Sequence, residues 1–432
     1  MRFNTLEDWL GWQETLHPIE IDLGLDRVAA VLAHLNLEHP DFTLITVAGT
    51  NGKGSSVAML EAILLAAGHR IGSYTSPHLL RYNERIKLGG QPVDDDMLCA
   101  SFERIDQARA DIRLTYFEFG TLAAIDILHR AEVDVAILEV GLGGRLDAVN
   151  ILDADVALIT AIGLDHMDWL GHNREAIARE KAGILRAGRP AVCADPEPPA
   201  SLLAVAKSLE VPLLLLGKDF FSNQCDEQEA DRWSWRSSLH CFEDLPLPAL
   251  PGDFQLRNAA GVLAVLSSLN AVIPVNYKAI VQGLQSVSLP GRFQIMPGEP
   301  LRIYDVAHNA QSAQALADNL AKQDDNGRYF PGQTHVVLGM LADKDIEAVI
   351  AQLRPVVDHW YFAPLPVLRT ASVAQLQSAL LAADATIGIA AIEKFDDVAA
   401  AYQTALLAST VQDRIVVTGS FYTVAAVLGE AV

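Results

Sequence analysis

The chain has 432 residues, enough for roughly two to four domains of ordinary size. Its 54 acidic residues against 32 basic ones leave a net charge of −22, which repels nucleic-acid phosphates and anionic membranes yet allows one local cationic pocket for a small anion. Half the residues are hydrophobic and a fifth are charged, the composition of a folded chain, and 29 Gly with 20 Pro are too few for a collagen-like or low-complexity sequence.

Taken in chain order, the sequence alternates strand and helix. Apolar runs of strand length fall at Thr43–Ala48, Val133–Val140, Asp155–Ile162 and Val211–Leu216. Val, Ile and Leu fill both faces of these runs, as in strands of a covered parallel sheet. Helical patterns lie between them, among them Ser55–Ala67 and Asn173–Leu185, so the predicted class is α/β. Residues 219–251 begin polar and acidic and then alternate, which predicts a small antiparallel excursion, followed by a helix from Phe254 to about Leu269. VSLPGRFQIMPGEP, from Val287 to Pro300, punctuates the chain with Pro and Gly and marks the predicted domain boundary. The predicted division is 1–290, a linker at 291–300, and a second α/β series at 301–432. That series has strands at Arg302–Val306, Thr334–Leu338, His359–Phe362, Thr386–Ala390 and Arg414–Thr418. Helices at Ala310–Lys322 and Val373–Ala383 and a surface loop at Asp324–Gly332 complete it.

The four cysteines, Cys99, Cys193, Cys225 and Cys241, fit neither a zinc spacing nor a redox pair and predict reduced thiols. The N-terminal MRFNTLEDWLGWQ lacks the apolar core of a secretion signal. The uncharged stretch Asn258–Tyr277 carries Gly261, Pro274, two serines and three asparagines, so it predicts a buried helix plus a turn and not a membrane span. A cytoplasmic protein without nucleic-acid or membrane partners is expected.

TVAGTNGKGSS at 46–56 runs from a strand through a glycine-rich turn to Lys53, hydroxyls and a helix. Backbone N–H groups of such a loop and the helix N-terminus cradle phosphate oxygens, and a lysine neutralises them. The run is not a regular Walker A motif: its first glycine would fall at Val47, and Gly54 replaces the usual Ser or Thr. Taken alone, it also fits a turn that merely needs glycine. LEVGLGGRLDAVN at 138–150 delivers Glu139 to a strand end, where an acid can hold Mg²⁺ or simply be solvated. GLDHMDWLG at 163–171 places His166 between Asp165 and Asp168, as a metal ligand, an acid/base, or a surface imidazole paired with those aspartates. If the preceding strands are parallel and adjacent, all three motifs share one sheet edge, where ligand sites gather. Farther on, YDVAHN at 304–309 puts Asp305 and His308 just past a strand, and Arg292 lies in LPGRF, in the segment joining the domains.

These motifs, with TSPHL (75–79), TYFE (115–118), REKAGI (179–184), LGMLADKD (338–345) and TGSFYTV (418–424), resemble the folylpolyglutamate synthase family, in its bifunctional bacterial branch. That family belongs to the Mur-ligase-like ATP-dependent amide ligases. The matches are in order and span about 23–424. The resemblance implies a P-loop Mur-ligase-like central ATPase domain followed by a smaller Rossmann-like C-terminal domain. It implies that ATP activates a carboxylate of a pterin-containing acceptor, 7,8-dihydropteroate or a tetrahydrofolate, as an acyl phosphate. The amino group of L-glutamate then attacks it. ATP and Mg²⁺, as two ions, are the implied cofactors, and a monomer is implied.

Carried over to this sequence, Gly49, Thr50, Asn51, Gly52, Lys53, Gly54 and Ser55 would hold the ATP phosphates, with Asn258, Arg292 and Asp305 as further ATP contacts. Ser76, Glu139 and His166 match the metal ligands. Lys181 matches a lysine that is carbamylated in the family; read without the resemblance, it is a solvated surface lysine beside Glu180. Lys53, Lys181, Arg292 and His308 are the implied catalytic residues. Thr115, Tyr116, Phe117 and Glu118, together with Leu23, Gly24, Leu25, Asp26, Arg27, Arg145 and Leu146, match the pterin site. Ordinary core packing is the alternative for Tyr116 and Phe117. A muramyl-peptide ligase is disfavoured because only 48 residues precede Gly49, too few for a separate UDP-binding domain. A nucleotide switch that makes no bond leaves the second α/β domain unexplained.

Overall fold

The computed structural model describes residues 2–19, 21–224, 232–322, 330–383 and 392–429. The chain forms two compact units, one of Met1–Ala249 with Gln255–Ser288, the other of Leu250–Phe254 with Leu289–Val432.

The first unit is built on an eight-stranded sheet with the order β4-β3-β2-β5-β1-β6-β7-β8. Its strands are β1 (Thr43–Ala48), β2 (Ile71–Tyr74), β3 (Ile86–Leu88), β4 (Gln91–Pro92), β5 (Val135–Glu139), β6 (Val156–Ile159), β7 (Ala191–Cys193) and β8 (Leu213–Leu215). From β2 through β8 in that order every pairing is parallel, and only β3, between β2 and β4 at one edge, runs the opposite way. All of β5 and β6 is buried, as continuous apolar strands covered on both faces should be. The helix Lys53–Ala66 is buried nearly all round, through Val57, Met59, Leu60, Ile63 and Leu64. An aromatic cluster packs between the helices, with Trp9 and Phe102 ring centroids 5.9 Å apart and Phe102 and Phe119 5.5 Å apart.

β1 matches its apolar run, Thr43–Ala48, whereas β5, β6 and β8 are shorter than theirs. Asp155, the expected start of a strand, uses its carboxylate to accept the Leu44 N–H at 2.9 Å. Asp219 likewise accepts the Leu215 N–H at 2.9 Å and turns the chain. The antiparallel excursion is present as a three-stranded sheet of β9 (Phe220–Gln224), β10 (Arg232–Ser237) and β11 (Cys241–Pro246). β10 buries Trp233 and Trp235 at alternate positions, and their Nε1 groups donate to Pro246 O at 2.9 Å and Ala260 O at 3.1 Å. Cys99, Cys193 and Cys241 carry free thiols.

The second unit has a six-stranded sheet, β12-β13-β17-β14-β15-β16, from β12 (Gln294–Met296), β13 (Leu301–Tyr304), β14 (Thr334–Leu338), β15 (His359–Phe362), β16 (Ile392–Lys394) and β17 (Arg414–Thr418). The stretch expected as a linker, 291–300, carries β12, which pairs antiparallel with β13 and adds an edge to this sheet. The other pairings are parallel. The expected strand Thr386–Ala390 and most of the expected loop Asp324–Gly332 lie outside the described residues. Among the described residues, no helix is long and apolar enough to cross a membrane.

Candidate active site

The neighbouring parallel strands β2, β5, β1 and β6 end at the same edge of the first sheet. Ser76 lies two residues past β2, Glu139 closes β5, residues 49–55 follow β1, and His166 lies beyond β6. Val47 is in register with Glu139 on one side and Leu158 on the other, so the phosphate-loop candidate leaves the sheet between the other two motifs. This is the topological position at which open α/β sheets form ligand crevices.

Two glycines shape the loop. A side chain at Gly49 would collide with Thr160 Oγ1, which donates to Asn51 O at 2.7 Å. Gly52 has φ +91°, and a Cβ there would lie 2.5 Å from Asn258 Oδ1. Thr50 is fixed from both ends: its N–H donates to Ala161 O at 2.7 Å, and its hydroxyl accepts the Gly163 N–H at 3.0 Å. Lys53 opens the helix and folds back over its own loop, its Nζ donating to Gly49 O at 3.0 Å and Thr50 O at 3.2 Å. Ser55 and Asn258 are both buried, and the amide of Gln255 bonds to each of them. Gln255 gave no signal in the sequence, where it is one polar residue in a long helix.

Lys181 is not the solvated lysine that its acidic neighbour suggested. It ends the helix Arg174–Lys181, is 3 % exposed, and donates from Nζ to Gly49 O at 2.9 Å. Burial, with the nearby Lys53 charge adding to it, brings its ammonium down to about 7. Asp147, which sequence reasoning passed over, is buried and accepts the N–H groups of Leu142 at 2.7 Å and Val149 at 2.9 Å. Burial pushes its carboxyl up to about 6. Arg145 is exposed and pairs with Glu180 at 2.9 Å, and Leu146 beside it is half-buried.

Glu139 is buried, Ser76 half-buried and His166 exposed. His166 takes a left-handed backbone, φ 49°, and its N–H donates to Asp165 Oδ1 at 2.8 Å. Among the described residues there is no cluster of three or more His, Cys, Asp or Glu fit to hold a metal alone. One carboxylate, one hydroxyl and one imidazole on neighbouring strand ends suit Mg²⁺ instead. That ion keeps waters and takes substrate phosphate oxygens beside one or two carboxylates.

The TYFE segment opens the helix Tyr116–Arg130. Thr115 and Glu118 cap it reciprocally, with Thr115 N donating to Glu118 Oε2 at 2.7 Å and Glu118 N to Thr115 Oγ1 at 3.2 Å. Arg27 reaches Glu118 Oε1 at 3.0 Å and Asp22 Oδ2 at 2.8 Å, which ties the segment around Leu23, Gly24, Leu25 and Asp26 to TYFE. The side chains of Thr115 and Glu118 thus build the segment's backbone. Tyr116 and Phe117 are half-buried and pack against the edge of the core. The Phe117 ring covers Gly141, where a Cβ would come within 2.6 Å of it, so the aromatic wall adjoins the loop leaving Glu139.

The second unit gathers its own candidates at one sheet edge, past β13 and β17. Asp305 accepts the Phe293 N–H at 2.7 Å and the Ala307 N–H at 2.8 Å. Burial pushes its carboxyl up, and the neighbouring Arg292 charge opposes the shift. The Arg292 guanidinium lies 5.1 Å from the centre of the Phe421 ring, and the His308 ring lies 6.4 Å from it on centroids. His308 Nδ1 is 2.9 Å from Val306 O. Phe421 belongs to TGSFYTV, but its nearness to both Arg292 and His308 comes only from the structure.

Against known families, the Mur ligase middle domain matches residues 47–266, and the Mur ligase glutamate ligase domain matches residues 291–421. The chain is similar to a dihydrofolate synthase/folylpolyglutamate synthase of Escherichia coli (strain K12), 44% identical over 423 residues that cover 98% of this chain and 94% of the relative. A protein of the same name from Haemophilus influenzae is 40% identical over 97% of this chain and 96% of its own length. Among solved structures, E. coli FolC in complex with DHPP and ADP superposes with a TM-score of 0.91 at 43% identity, covering 99% of this chain and 98% of that one. A bifunctional folylpolyglutamate synthase/dihydrofolate synthase with Mn, AMPPNP and L-glutamate bound gives a TM-score of 0.89 at 45% identity, with the same coverage.

Proposed function

The chain belongs to the dihydrofolate synthase/folylpolyglutamate synthase family of Mur ligases, and from that premise we propose that it is an ATP-dependent ligase of both acceptors. It joins L-glutamate to 7,8-dihydropteroate and to the glutamate tail of tetrahydrofolates. The observation that carries this reading is the single sheet edge holding the glycine-rich loop, Glu139, Ser76 and His166, beside the Phe117 wall. We read 1–290 as the ATP- and pterin-binding part and 301–432 as the ligase C-terminal part. The family matches at 47–266 and 291–421 support that division. A cytoplasmic location is supported by the free thiols of Cys99, Cys193 and Cys241.

The chemistry sets the demands on these residues. A carboxylate is a poor electrophile, so its oxygen must first become a phosphate leaving group. Lys53 and the N–H groups of 49–55 would hold the triphosphate, and the acceptor's carboxylate would approach it from the Phe117 side. Ser76, Glu139 and His166 would hold Mg²⁺, which lowers the repulsion between the two anions. Lys181 would carry a carbamate. The neutral amine is the form that reacts with carbon dioxide, and a pKa of about 7 leaves much of it neutral at physiological pH. Arg292, Asp305 and His308 would serve the nucleotide and the incoming glutamate.

The test is phosphate release with Mg-ATP and L-glutamate, run with 7,8-dihydropteroate, with tetrahydrofolate and with neither. Release with both acceptors, each product heavier by one glutamyl unit, supports the reading. Release with one acceptor narrows it to a single activity, and no acceptor-dependent release removes it.

A further inference from the structure

Gln255 has no place in the chemistry above, yet its side chain joins two residues that do. It lies in the first turns of the helix Asp253–Leu269, one turn before Asn258, and is 1 % exposed. Its Nε2 donates to Ser55 Oγ at 3.2 Å, 200 residues away in sequence, and its Oε1 accepts from Asn258 Nδ2 at 2.9 Å. Burying a primary amide is costly unless its groups are bonded, so a helix that only needed packing would use an apolar residue here.

The bonds have a direction, and the direction matters. Because Asn258 spends Nδ2 on Gln255, its Oδ1 faces Gly52, at 2.5 Å from where a Cβ would be. Because Ser55 Oγ accepts from Gln255, its hydroxyl hydrogen is free to point elsewhere, and a hydroxyl beside a phosphate is useful as a donor. A reversed Gln255 amide would turn both groups round: Asn258 would present its NH₂ to the loop, and Ser55 would spend its hydrogen on Gln255.

We propose that Gln255 is a positioning residue of the nucleotide site, which fixes the hydrogen-bond polarity of Ser55 and Asn258 toward the bound nucleotide. This rests on reading 49–55 and Asn258 as nucleotide contacts. Gln255 itself does not touch the nucleotide. Its effect is on affinity for ATP and ADP, with no direct effect on the acceptor.

The full-length protein carrying Gln255→Met, which keeps the length and removes both bonds, tests it. Mg-ADP binding is measured by calorimetry beside steady-state KM values for ATP and for 7,8-dihydropteroate. One mispositioned pair of hydrogen bonds predicts a loss of Mg-ADP affinity of about tenfold and a matching rise in the KM for ATP, with the acceptor KM within about twofold. A lower melting temperature with Mg-ADP affinity unchanged would make Gln255 purely structural and overturn the proposal. Should Gln255→Met not fold, Gln255→Glu serves. It still accepts from Asn258 but cannot donate to Ser55, whose hydroxyl then turns toward it, and Mg-ADP binding again weakens. A double-mutant cycle with Asn258→Ala adds an independent check. The proposal requires the loss of Mg-ADP affinity in the double variant to be smaller than the sum of the two single losses, and fully additive losses contradict it. Lys53→Ala is the control for the underlying reading. If it binds Mg-ADP normally, the nucleotide site is misread. If it loses binding while the Gln255 variants do not, only the positioning role fails.

Discussion

Lys181 Nζ and Lys53 Nζ both donate to the carbonyl oxygen of Gly49, at 2.9 and 3.0 Å. Burial of the Lys181 ammonium, with repulsion from the Lys53 charge adding to it, accounts for the fall of Lys181 from the ordinary 10.5 to about 7. Below about 7 both folded and unfolded chains hold the proton, and the cost of a buried ammonium is felt in full. Between about 7 and 10.5 the unfolded chain binds more protons than the folded one, so stability rises with pH. Lys181→Met lacks this group. In buffers freed of carbon dioxide, the variant is expected to melt higher than the parent at pH 6, with the gap closing as pH rises toward 9. A constant gap over that range would show that Lys181 titrates elsewhere. The same variant is expected to lose turnover at every pH.

Glu139 and Lys53 stand on neighbouring elements at the same sheet edge. Glu139→Ala and Lys53→Ala are each expected to reduce acceptor-dependent phosphate release by at least about a hundredfold, the scale of losing one preorganised charge in a phosphoryl-transfer site. Their far-ultraviolet circular dichroism should match the parent, because each substitution removes a polar group at the sheet edge and no apolar core side chain. Near-normal rates in either variant would move the site away from this edge.

Much of this edge was legible in the sequence because each part carries local chemistry. A glycine-rich turn between a strand and a helix, an acid closing a strand, and a histidine just past another are readable one at a time, and parallel topology brings them together. The two-residue periodicity around Trp233 and Trp235 likewise foretold the small antiparallel sheet. What could not be read depends on contacts between distant segments. Lys181 looks solvated beside Glu180, and only the approach of its helix to Gly49 buries it. Gln255 gains its meaning from Ser55, and Phe421 from Arg292 and His308. The strand β12 was hidden because 291–300 is rich in Pro and Gly, a composition that marks a linker more often than an edge strand.

Phe117 covers Gly141, and this contact joins the proposed pterin wall to the loop after Glu139. Phe117→Ala removes an aromatic face but leaves the phosphate loop alone. A rise of about tenfold in the KM for 7,8-dihydropteroate is expected, the scale of losing one apolar stacking surface, with the KM for ATP nearly unchanged. Equal rises in both would argue that the ring supports the whole edge and not the acceptor. Gly141→Ala should reproduce the acceptor effect, since the new methyl group would displace the ring.

The ion pair between Arg27 and Glu118 is asymmetric, with the Arg27 side chain 27 % exposed and that of Glu118 only 4 %. Removing the arginine therefore strands a buried carboxylate, whereas removing the carboxylate's charge strands only a partly hydrated cation that still has Asp22. Arg27→Met is expected to destabilise by about 1–3 kcal/mol, below the full cost of breaking a buried pair because the arginine keeps some water. Glu118→Gln should cost less, because the amide oxygen can still accept the Thr115 N–H that completes the helix cap. The double variant Arg27→Met/Glu118→Gln should then be more stable than Arg27→Met alone, since no uncompensated charge remains buried. Thermal melts of the three variants decide this, and a double variant that is the least stable of the three would show that the pair acts through packing and not through charge. The KM for the acceptor should rise in Arg27→Met as well, because the pair is what ties residues 22–27 to Tyr116 and Phe117.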